Sequence, residues 1–497
     1  MDFLSNLVYG FGVALQPPAL LACLFGVLVG TLMGVLPGIG SVGAMSILLP
    51  LTFGLSPVNA IIMLAGIYYG SMYGGSTTSI LVNIPGEAAS VVTCLDGHQM
   101  ALQGRAGPAL GISAFGSFLG GSFGLVGLML IADPLAAFAV KFGPAEYFAL
   151  MTFALSIVTY LTHGSLLRGL AMAGLGLFLS TIGQDLITGK ARFTFGFFQL
   201  QEGIGIVPLV MGLFGISEVF FNLSQIKAER ETFTTKFRDL LPNREDWRKS
   251  AVPIGRGSLL GFFLGILPGG GAIISSFVSY ALEKRLSKDS SRFGKGAIEG
   301  VAGPETANNA ATSGAFIPLF SLGIPANVVM ALLLGALMIH GLQPGPLIIT
   351  QRPEIFWGTV ASMYVGNVLL LILNLPLIGM WVRILKIPYG ILFPLILLFC
   401  LVGAYSINGN VFDIFVMIFF AIIGFFMRRT GYEPAPLVLA FILGPIFEQN
   451  LRQALILSDG SPAIFLRHPI SASLLIISGL LLLSSVCTRK KVVGEKT

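Results

Sequence analysis

The sequence GVLVGTLMGVLPGIG at residues 26–40 decides the fold, because a close copy, GSLLGFFLGILPGGG, occupies residues 257–271. In each copy glycines recur at every fourth residue and lead into Leu-Pro-Gly. This spacing places the glycines on one helix face, where another backbone can approach closely. Proline removes a hydrogen-bond donor and glycine permits non-helical geometry, so each copy predicts a helix that ends inside an apolar run. Tight packing beside a simple turn is the alternative interpretation.

The composition is that of a membrane protein. Of 497 residues, 55% are hydrophobic and 10% are charged, and the mean hydropathy is +0.87. Soluble proteins carry about 25% charged residues. Apolar runs of about 20 residues, enough to cross a hydrocarbon core of about 30 Å, recur along the chain. We therefore predict an all-α polytopic membrane protein.

Charge and reactive residues exclude several other classes. The net charge is +6, but the basic residues lie in a few loops and at the C-terminus, which indicates membrane orientation and not nucleic-acid binding. The N-terminus lacks the basic region and cleavage site of a signal peptide. Histidines and cysteines are dispersed and no phosphate-binding Walker motif is present, so we predict no catalytic residues, no metal site and no tightly bound cofactor.

The duplication extends beyond the glycine-rich stretches, which we call the glycine ladders. Asn83-Ile84-Pro85-Gly86 corresponds to Gly323-Ile324-Pro325-Ala326 at a similar offset. Internal duplication of a membrane protein is typical of transporters. We predict four units: a first membrane repeat at 1–221, a cytoplasmic linker at 222–252, a second, inverted membrane repeat at 253–458, and an extra C-terminal membrane helix with a basic cytoplasmic tail at 459–497.

Basic loops at 222–252 and 283–295 flank the second ladder. If the chain crossed the bilayer between them, one basic loop would lie outside, against the positive-inside rule. A re-entrant hairpin that enters and leaves on the same side removes this conflict. Residues 1–104 contain no Lys or Arg, so the first ladder can open to the outside. We predict two inverted-topology repeats, each with a Gly-rich re-entrant hairpin, and about 11–14 membrane segments. The alternative is that each ladder splits into ordinary spanning helices.

The remaining sequence divides into polar and apolar segments. Residues 84–106 are polar, which predicts a surface arm with Glu87 and Asp96 exposed. Apolar composition predicts further membrane segments at 107–131, 144–162, 166–187, 203–221, 356–377, 391–405, 412–426, 437–457 and 472–483.

The two hairpin tips predict a ligand site. Non-helical backbone at membrane depth persists only where protein or a water-filled cavity covers it, and freed amides and carbonyls there bind anions and cations. For each Ser or Thr alone, a hydrogen bond to its own helix is the alternative. The substrate-binding candidates are Gly38, Ile39, Gly40, Ser41, Ser76, Thr77, Thr78, Asn83, Gly269, Gly270, Gly271, Asn308, Asn309, Thr312 and Ser313.

Glu305 is the acidic residue expected nearest this cavity. An ionisable group at membrane depth is a functional candidate, so Glu305 is the candidate for the coupling ion, with Na⁺ and H⁺ both open. A capping role at the helix after Pro304 is the alternative. Because no Arg or Lys is expected in the site, backbone amides and hydroxyls would bind an anionic substrate.

The motifs YYGSMYGGSTTSILVNIPGEAA (68–89) and GVAGPETANNAATSGAFIP (300–318) resemble those of the large permease subunit of tripartite tricarboxylate transporters, the TctA type. The resemblance covers nearly the whole chain. It implies a multi-pass protein of the bacterial inner membrane that takes up carboxylates with a cation gradient. It also implies two partners, a small membrane subunit (TctB type) and a periplasmic substrate-binding protein (TctC type). DGHQMA (96–101), AGPETANN (302–309) and Ala326-Asn327 depart from the usual family pattern, so no particular substrate is carried over.

These observations predict secondary active uptake of a tricarboxylate or other organic acid, by an elevator-type movement or a rocking bundle. Two alternatives remain. Gly120-Gly121-Ser122-Phe123-Gly124 matches a hydrolase nucleophile elbow, which would indicate an intramembrane hydrolase or lipid-modifying enzyme. A scaffold subunit without transport is the other.

Overall fold

A computed structural model of the protein describes residues 3–36, 39–161, 166–185, 187–223, 240–269, 271–384 and 389–494. The helices of the first part of the chain are α1 (Phe3–Ala14), α2 (Pro17–Val35), α3 (Gly40–Leu48), α4 (Pro57–Val82), α5 (Val91–Leu102), α6 (Ala106–Ala139), α7 (Pro144–Leu161), α8 (Leu166–Ser180), α9 (Ile206–Val210) and α10 (Ser217–Leu223). A π-helical turn at Met211–Ile216 joins α9 to α10.

The second part is also helical. Its helices are α11 (Arg244–Ile266), α12 (Gly271–Leu286), α13 (Glu299–Gly314), α14 (Phe316–Leu322), α15 (Val328–Ile339), α16 (Ile348–Gln351), α17 (Pro353–Asn374), α18 (Ile378–Ile384), α19 (Tyr389–Asn408), α20 (Val411–Thr430), α21 (Ala435–Leu457), α22 (Ile464–Arg467) and α23 (Pro469–Gly494). Short 3₁₀ turns lie at Leu49–Gly54, Ala88–Ser90, Phe198–Leu200 and Ser290–Arg292.

Four helices in the described part of the chain are long and apolar enough to cross a membrane: α2, α6, α17 and α20. Several shorter apolar helices, including α7 and α15, accompany them. The predicted all-helical membrane class is therefore confirmed.

The first glycine ladder packs α2 directly onto α4. A Cβ atom added at Gly30 or Gly34 would overlap the backbone carbonyl of Ile67 or Ser71. The contact is reciprocal, since a Cβ at Gly74 would overlap the backbone of α2. In a membrane, where apolar surfaces are not driven together by water, such close approach provides the packing energy.

The second ladder packs α11 onto α13 in the same way. A Cβ at Gly261 would overlap the backbone of Ala307, and one at Gly265 would overlap that of Ala311. Helix α12 then returns beside α11, because the Arg256 guanidinium pairs with both carboxylate oxygens of Glu283, at 2.8 Å (Nε–Oε1) and 2.5 Å (Nη2–Oε2). Helices α11 and α12 thus form an antiparallel pair with charged residues at the same end.

Both ladders end on the same backbone conformation. Leu36 and Leu267 leave their helices with extended dihedrals, φ −80°, ψ 107° and φ −75°, ψ 130°. A residue before proline is held out of the helical region by the proline ring. Leu-Pro therefore ends each helix at the predicted position.

The first and second parts of the chain exchange helix contacts, and the helices involved come late in each part. Helix α8 packs on α21, where a Cβ at Gly176 would overlap the Leu437 carbonyl. Helix α20 packs on the π-helical turn, where a Cβ at Gly212 would overlap the Met417 carbonyl. Each part of the chain thus contributes a helix to the packing of the other.

Helix α8 is shorter than predicted. It ends at Ser180, and the chain forms a small antiparallel ladder in which Gly183 pairs with Arg192 and Gln184 with Ala191. The predicted segment 166–187 is therefore wrong over its last residues. Asp185 fixes the turn by accepting hydrogen bonds from the backbone N–H groups of Ile187 and Thr188. A hydrogen bond from Arg452, with these backbone bonds, lowers the pKa of Asp185.

Two further segments differ from their predicted boundaries. Residues 244–252 of the predicted linker belong to α11, whose first turn is capped by Asn243; residues 224–239 lie outside the described part. The predicted surface arm at 84–106 contains α5, which packs against α4, α6 and α13.

The ladder contact predicts a sharp positional difference within α11. Replacing Gly261 with Ala forces a methyl group into the α13 backbone, so we expect the free energy of unfolding to fall by about 1–3 kcal/mol. A methyl group at Gly255 would have no atom within 4 Å, so Gly255→Ala should leave stability unchanged or raise it by less than about 1 kcal/mol. Thermal unfolding of the purified variants measures both. Equal melting temperatures for the two variants would contradict close packing at the ladder.

Candidate functional site

Helix α13 is a buried helix with an unusually polar sequence, EGVAGPETANNAATSG. Every residue from Gly300 to Gly314 is buried. The helix lies among α4, α5, α6, α11 and α12. Because buried polar groups must find hydrogen-bond partners, the partners of α13 show what this helix can do.

The Glu305 carboxyl group is the centre of a hydroxyl cluster. Its side chain is 1% exposed. Ser76 of α4 donates to Oε2 at 2.5 Å, Thr93 of α5 donates to Oε1, and the Ser113 hydroxyl of α6 lies close to the carboxyl group. Four helices therefore meet at one acid surrounded by hydroxyl oxygens, which can coordinate a hard cation or hydrogen-bond to a protonated acid.

Helices α4 and α13 are antiparallel at this contact. Ser76 meets Glu305, whereas Tyr68, earlier in α4, lies close to Thr312, later in α13. The Tyr68 hydroxyl also accepts a hydrogen bond from the Asn327 amide at 3.0 Å. Asn308 therefore lies between these two contacts of α4 with α13.

Asn308 is fully buried, with 0% of its surface exposed. Among the residues that the structure describes, neither its Oδ1 nor its Nδ2 atom has a hydrogen-bond partner. A buried polar group without a partner costs roughly 1–3 kcal/mol. The amide thus presents an NH2 donor group and an oxygen acceptor that a ligand can satisfy.

The chain is not helical directly after α2 and α11, and we call these two glycine-rich places the breaks. They are held by the segments that follow α4 and α14. At the first break, the Ser41 N–H donates to Glu87 Oε2 at 2.6 Å, beside Gly40 with φ 61°. At the second, the Gly269 N–H donates to the Ala326 carbonyl at 2.7 Å. Gly40 and Gly269 (φ 115°) both have backbone conformations that suit glycine.

Both holding segments begin with a left-handed residue. Helix α4 ends at Asn83, with φ 57°, and α14 ends at Gly323, with φ 70°. These residues begin the matched four-residue stretches of the sequence. Asn83 is exposed, so the structure gives it a role in reversing the chain.

Several candidates make hydrogen bonds within the helix packing. Asn309 Nδ2 donates to Ser117 Oγ at 2.8 Å, and Ser313 donates to the Gly121 carbonyl at 3.1 Å. Thr78 donates to the Val35 carbonyl at 2.8 Å, which satisfies a buried carbonyl at the C-terminal end of α2. Their hydroxyl and amide groups therefore join α13 to α6 and α4 to α2.

The remaining candidates divide into described and undescribed residues. Thr77 is 2% exposed and Ile39 is 7% exposed, and Gly271 begins α12. Gly38 and Gly270 lie outside the described residues.

The nucleophile-elbow interpretation is wrong. Ser122 lies within the continuous helix α6, whereas an elbow needs a strand-to-helix turn. Its hydroxyl accepts a hydrogen bond from Asn367 of α17 at 3.0 Å, and Asn367 Oδ1 accepts one from Tyr73 at 2.5 Å. Ser122 is part of a packing network.

Asp96 is fully buried, contrary to the predicted surface position. Its Oδ1 accepts hydrogen bonds from the backbone N–H groups of Gly294, Gly296 and Ala297, at 2.8–2.9 Å. Its Oδ2 accepts one from the Tyr280 hydroxyl at 3.0 Å. Asp96 therefore ties α5 to the loop that precedes α13.

Sequence reasoning does not identify Thr93, Ser113, Tyr68 and Asn327 as members of these clusters. Thr93 and Asp96 are three residues apart and both contact the α13 region. Helical spacing of polar residues in 84–106 is a signal that could indicate a buried face on α5.

Comparison with known proteins identifies a family for the chain. Residues 20–439 match the model of a family described as the Tripartite tricarboxylate transporter TctA family. A relative from Agrobacterium vitis, described as an uncharacterized 52.8 kDa protein in the TAR-I ttuC' 3' region, is 53% identical over 477 residues. The alignment covers 96% of this chain and 95% of the relative.

A second relative from Agrobacterium vitis, described as an uncharacterized protein in the TAR-II ttuC' 3' region, is 57% identical over 215 residues. This match covers 43% of the chain and 89% of the relative. No solved structure matches the chain significantly.

Proposed function

Because the chain belongs to the tripartite tricarboxylate transporter TctA family, we propose that it is the large permease subunit of a binding-protein-dependent uptake system for a carboxylate. The family is one of transporters and not of enzymes. In this proposal the protein lies in the bacterial inner membrane with the small membrane subunit. The periplasmic binding protein delivers the tricarboxylate or other organic acid.

The unpaired amide of Asn308 carries the proposal. Its Nδ2 can donate to a carboxylate oxygen, and its burial keeps bulk water from competing for that bond. Helices α3 and α12 begin at Gly40 and Gly271, directly after the two breaks. Free N–H groups at a helix start attract anions. In the first turn of α3 the Ser41 N–H already donates to Glu87, so the start of α12 is the better candidate. Asn308 and the start of α12 would bind the carboxylate without a basic side chain.

Glu305 is the proposed site of the coupling cation. Moving an anion through a low-dielectric interior is costly unless its charge is compensated. The carboxyl group with the hydroxyls of Ser76, Thr93 and Ser113 supplies oxygen ligands for Na⁺ or an acceptor for H⁺. Both ions fit this chemistry.

Two inverted repeats with re-entrant hairpins are the proposed architecture. It is supported by the same ladder contact in α2–α4 and α11–α13, by the matched left-handed ends of α4 and α14, and by the packing of α8 on α21 and of α20 on the π-helical turn. The charged ends shared by α11 and α12 suit a hairpin that opens to the cytoplasm. An elevator-type movement would carry the hairpins as a unit, and rocking of a bundle is the alternative.

Uptake of labelled carboxylate into vesicles that hold the chain and both partners tests the transport proposal. We expect Asn308→Ala to reduce initial uptake at least about tenfold, because one charge-assisted hydrogen bond is lost. The control, Asn450→Ala, removes an amide that bonds to its own helix at Ile446 and should transport normally. Wild-type uptake by Asn308→Ala would reject its role, and no uptake of any carboxylate with any cation gradient would reject the function.

Glu305→Gln tests the coupling proposal. The amide keeps the size of the side chain, and a neighbouring hydroxyl can rotate to accept from its NH2 group. It neither ionises nor binds a cation strongly, so uptake should lose its dependence on the Na⁺ or pH gradient. Initial rates measured across a series of each gradient report this dependence. The control is Glu354→Gln, whose carboxylate pairs with the exposed Arg352. Unchanged cation dependence in Glu305→Gln would exclude Glu305 as the coupling site.

Cysteine labelling tests the re-entrant hairpin. Single cysteines at Glu245, in the first turn of α11, and at Asp289, after α12, should both react with an impermeant maleimide only from the cytoplasmic face. Both positions are exposed. Cys23 and Cys400 are buried and can remain. Cys94 and Cys487 would be replaced with Ala in the background. Labelling of the two positions from opposite faces would show that the segment crosses the bilayer.

A further inference from the structure

A polar cavity of about 230 Å³ lies where the base of α11 meets the α5–α6 turn and the loop before α13. It is separate from the Asn308 and Glu305 groups. Its charged lining residues are Arg105, Asp246, Lys249, Arg292, Lys295 and Glu299.

The charges of this cavity do not balance. Asp246 is paired with Arg105, and Glu299 is paired with Arg292 at 2.6 Å. Two cationic side chains, Lys249 and Lys295, remain beyond these two pairs.

The lysines are available to a ligand. The partner of Lys249 is Glu245, whose side chain is 71% exposed, and an exposed ion pair of this kind is weak. Lys295 is itself exposed. A competing anion can therefore recruit both ammonium groups at little cost.

The two arginines can also contribute donors. Each guanidinium contacts its carboxylate through Nη2, and a guanidinium has five N–H donors in a planar fork. Both arginine side chains are 40% exposed, so the remaining N–H groups can reach a ligand. Planar forks suit the oxygens of phosphate and carboxylate groups.

Side chains, and not the backbone, must form this site. The N–H groups of Gly296 and Ala297, which also line the cavity, already donate to Asp96. They are therefore not free to bind an anion. The excess lysines and the arginine forks supply the donors.

We propose that this cavity binds a phosphate group, either from the head group of an anionic phospholipid or from free phosphate. The cavity belongs to the basic loops that the positive-inside rule places at the cytoplasmic face, where anionic lipids attract Lys and Arg. A phosphate held there bridges α11 to the start of α13, the two helices joined by the second glycine ladder. The inference concerns binding alone and stands independently of carboxylate transport.

The test is thermal unfolding of the purified full-length protein in detergent. Inorganic phosphate is titrated against a chloride series of equal ionic strength, and short-chain phosphatidylglycerol against short-chain phosphatidylcholine. We expect saturable stabilisation by at least one phosphate-bearing anionic probe and none by its control. In Lys249→Gln/Lys295→Gln the half-saturating concentration should rise roughly tenfold or more.

The matched control is Lys284→Gln/Lys288→Gln, which removes the same charge from exposed positions at the end of α12, outside the cavity lining. It should change the half-saturating concentration less than about twofold. Stabilisation by phosphatidylglycerol alone would identify a lipid head group, and stabilisation by phosphate alone would identify a soluble anion. Competition between them would show one site open to both. The proposal is overturned if no probe stabilises saturably, or if the two double variants weaken binding equally.

Discussion

The close contact between helix backbones at the two glycine ladders is the constraint on which the rest of the structure depends. Gly30 and Gly34 bring α2 against α4, and Gly261 and Gly265 bring α11 against α13. Because side chains are absent along these seams, each ladder helix and its partner form a pair with little freedom to slide. The ladders also fix where Leu-Pro ends each helix. The ladder packing therefore positions the two breaks, and the hydrogen bonds from the Ser41 and Gly269 N–H groups hold them there.

Local chemistry explains how much of this could be predicted from sequence. Glycine spacing and Leu-Pro-Gly act within a few residues, so the ladder helices and their ends follow from the chain itself. The burial of Asp96 could not be predicted, because its partners at 294–297 lie far away in sequence. The end of α8 at Ser180 could not be predicted for a related reason. Apolar composition favours a membrane segment without specifying where the helix stops. The β-pairing of Gly183 with Arg192 depends on contacts with later residues.

The candidate site shows the same division. Glu305 and Ser76 stand out in the sequence because polar residues are rare in apolar segments, and the structure brings them together. Thr93 and Tyr68 do not stand out in the sequence, since a single hydroxyl in a helix usually bonds within that helix. Their roles arise from the antiparallel register of α4 and α13, which is a tertiary property. Asn309 and Ser313 are predicted from the sequence to bind substrate but hydrogen-bond to α6. Polarity alone does not distinguish them from Asn308, whose amide is left without a partner among the described residues.

The proposed ligand and cation positions lie on one helix, and this has an energetic consequence. Glu305 and Asn308 are three residues apart, which places them on neighbouring positions of the same face of α13. A cation at Glu305 would offset the charge of a carboxylate at Asn308 within about one helical turn, in an interior where the attraction is weakly screened. Each would raise the affinity for the other by the same factor, since coupling between two binding sites is reciprocal. An arginine at the site would bind the anion without a cation and would remove this dependence. The use of amide and hydroxyl groups therefore favours transport in which carboxylate and cation must bind together.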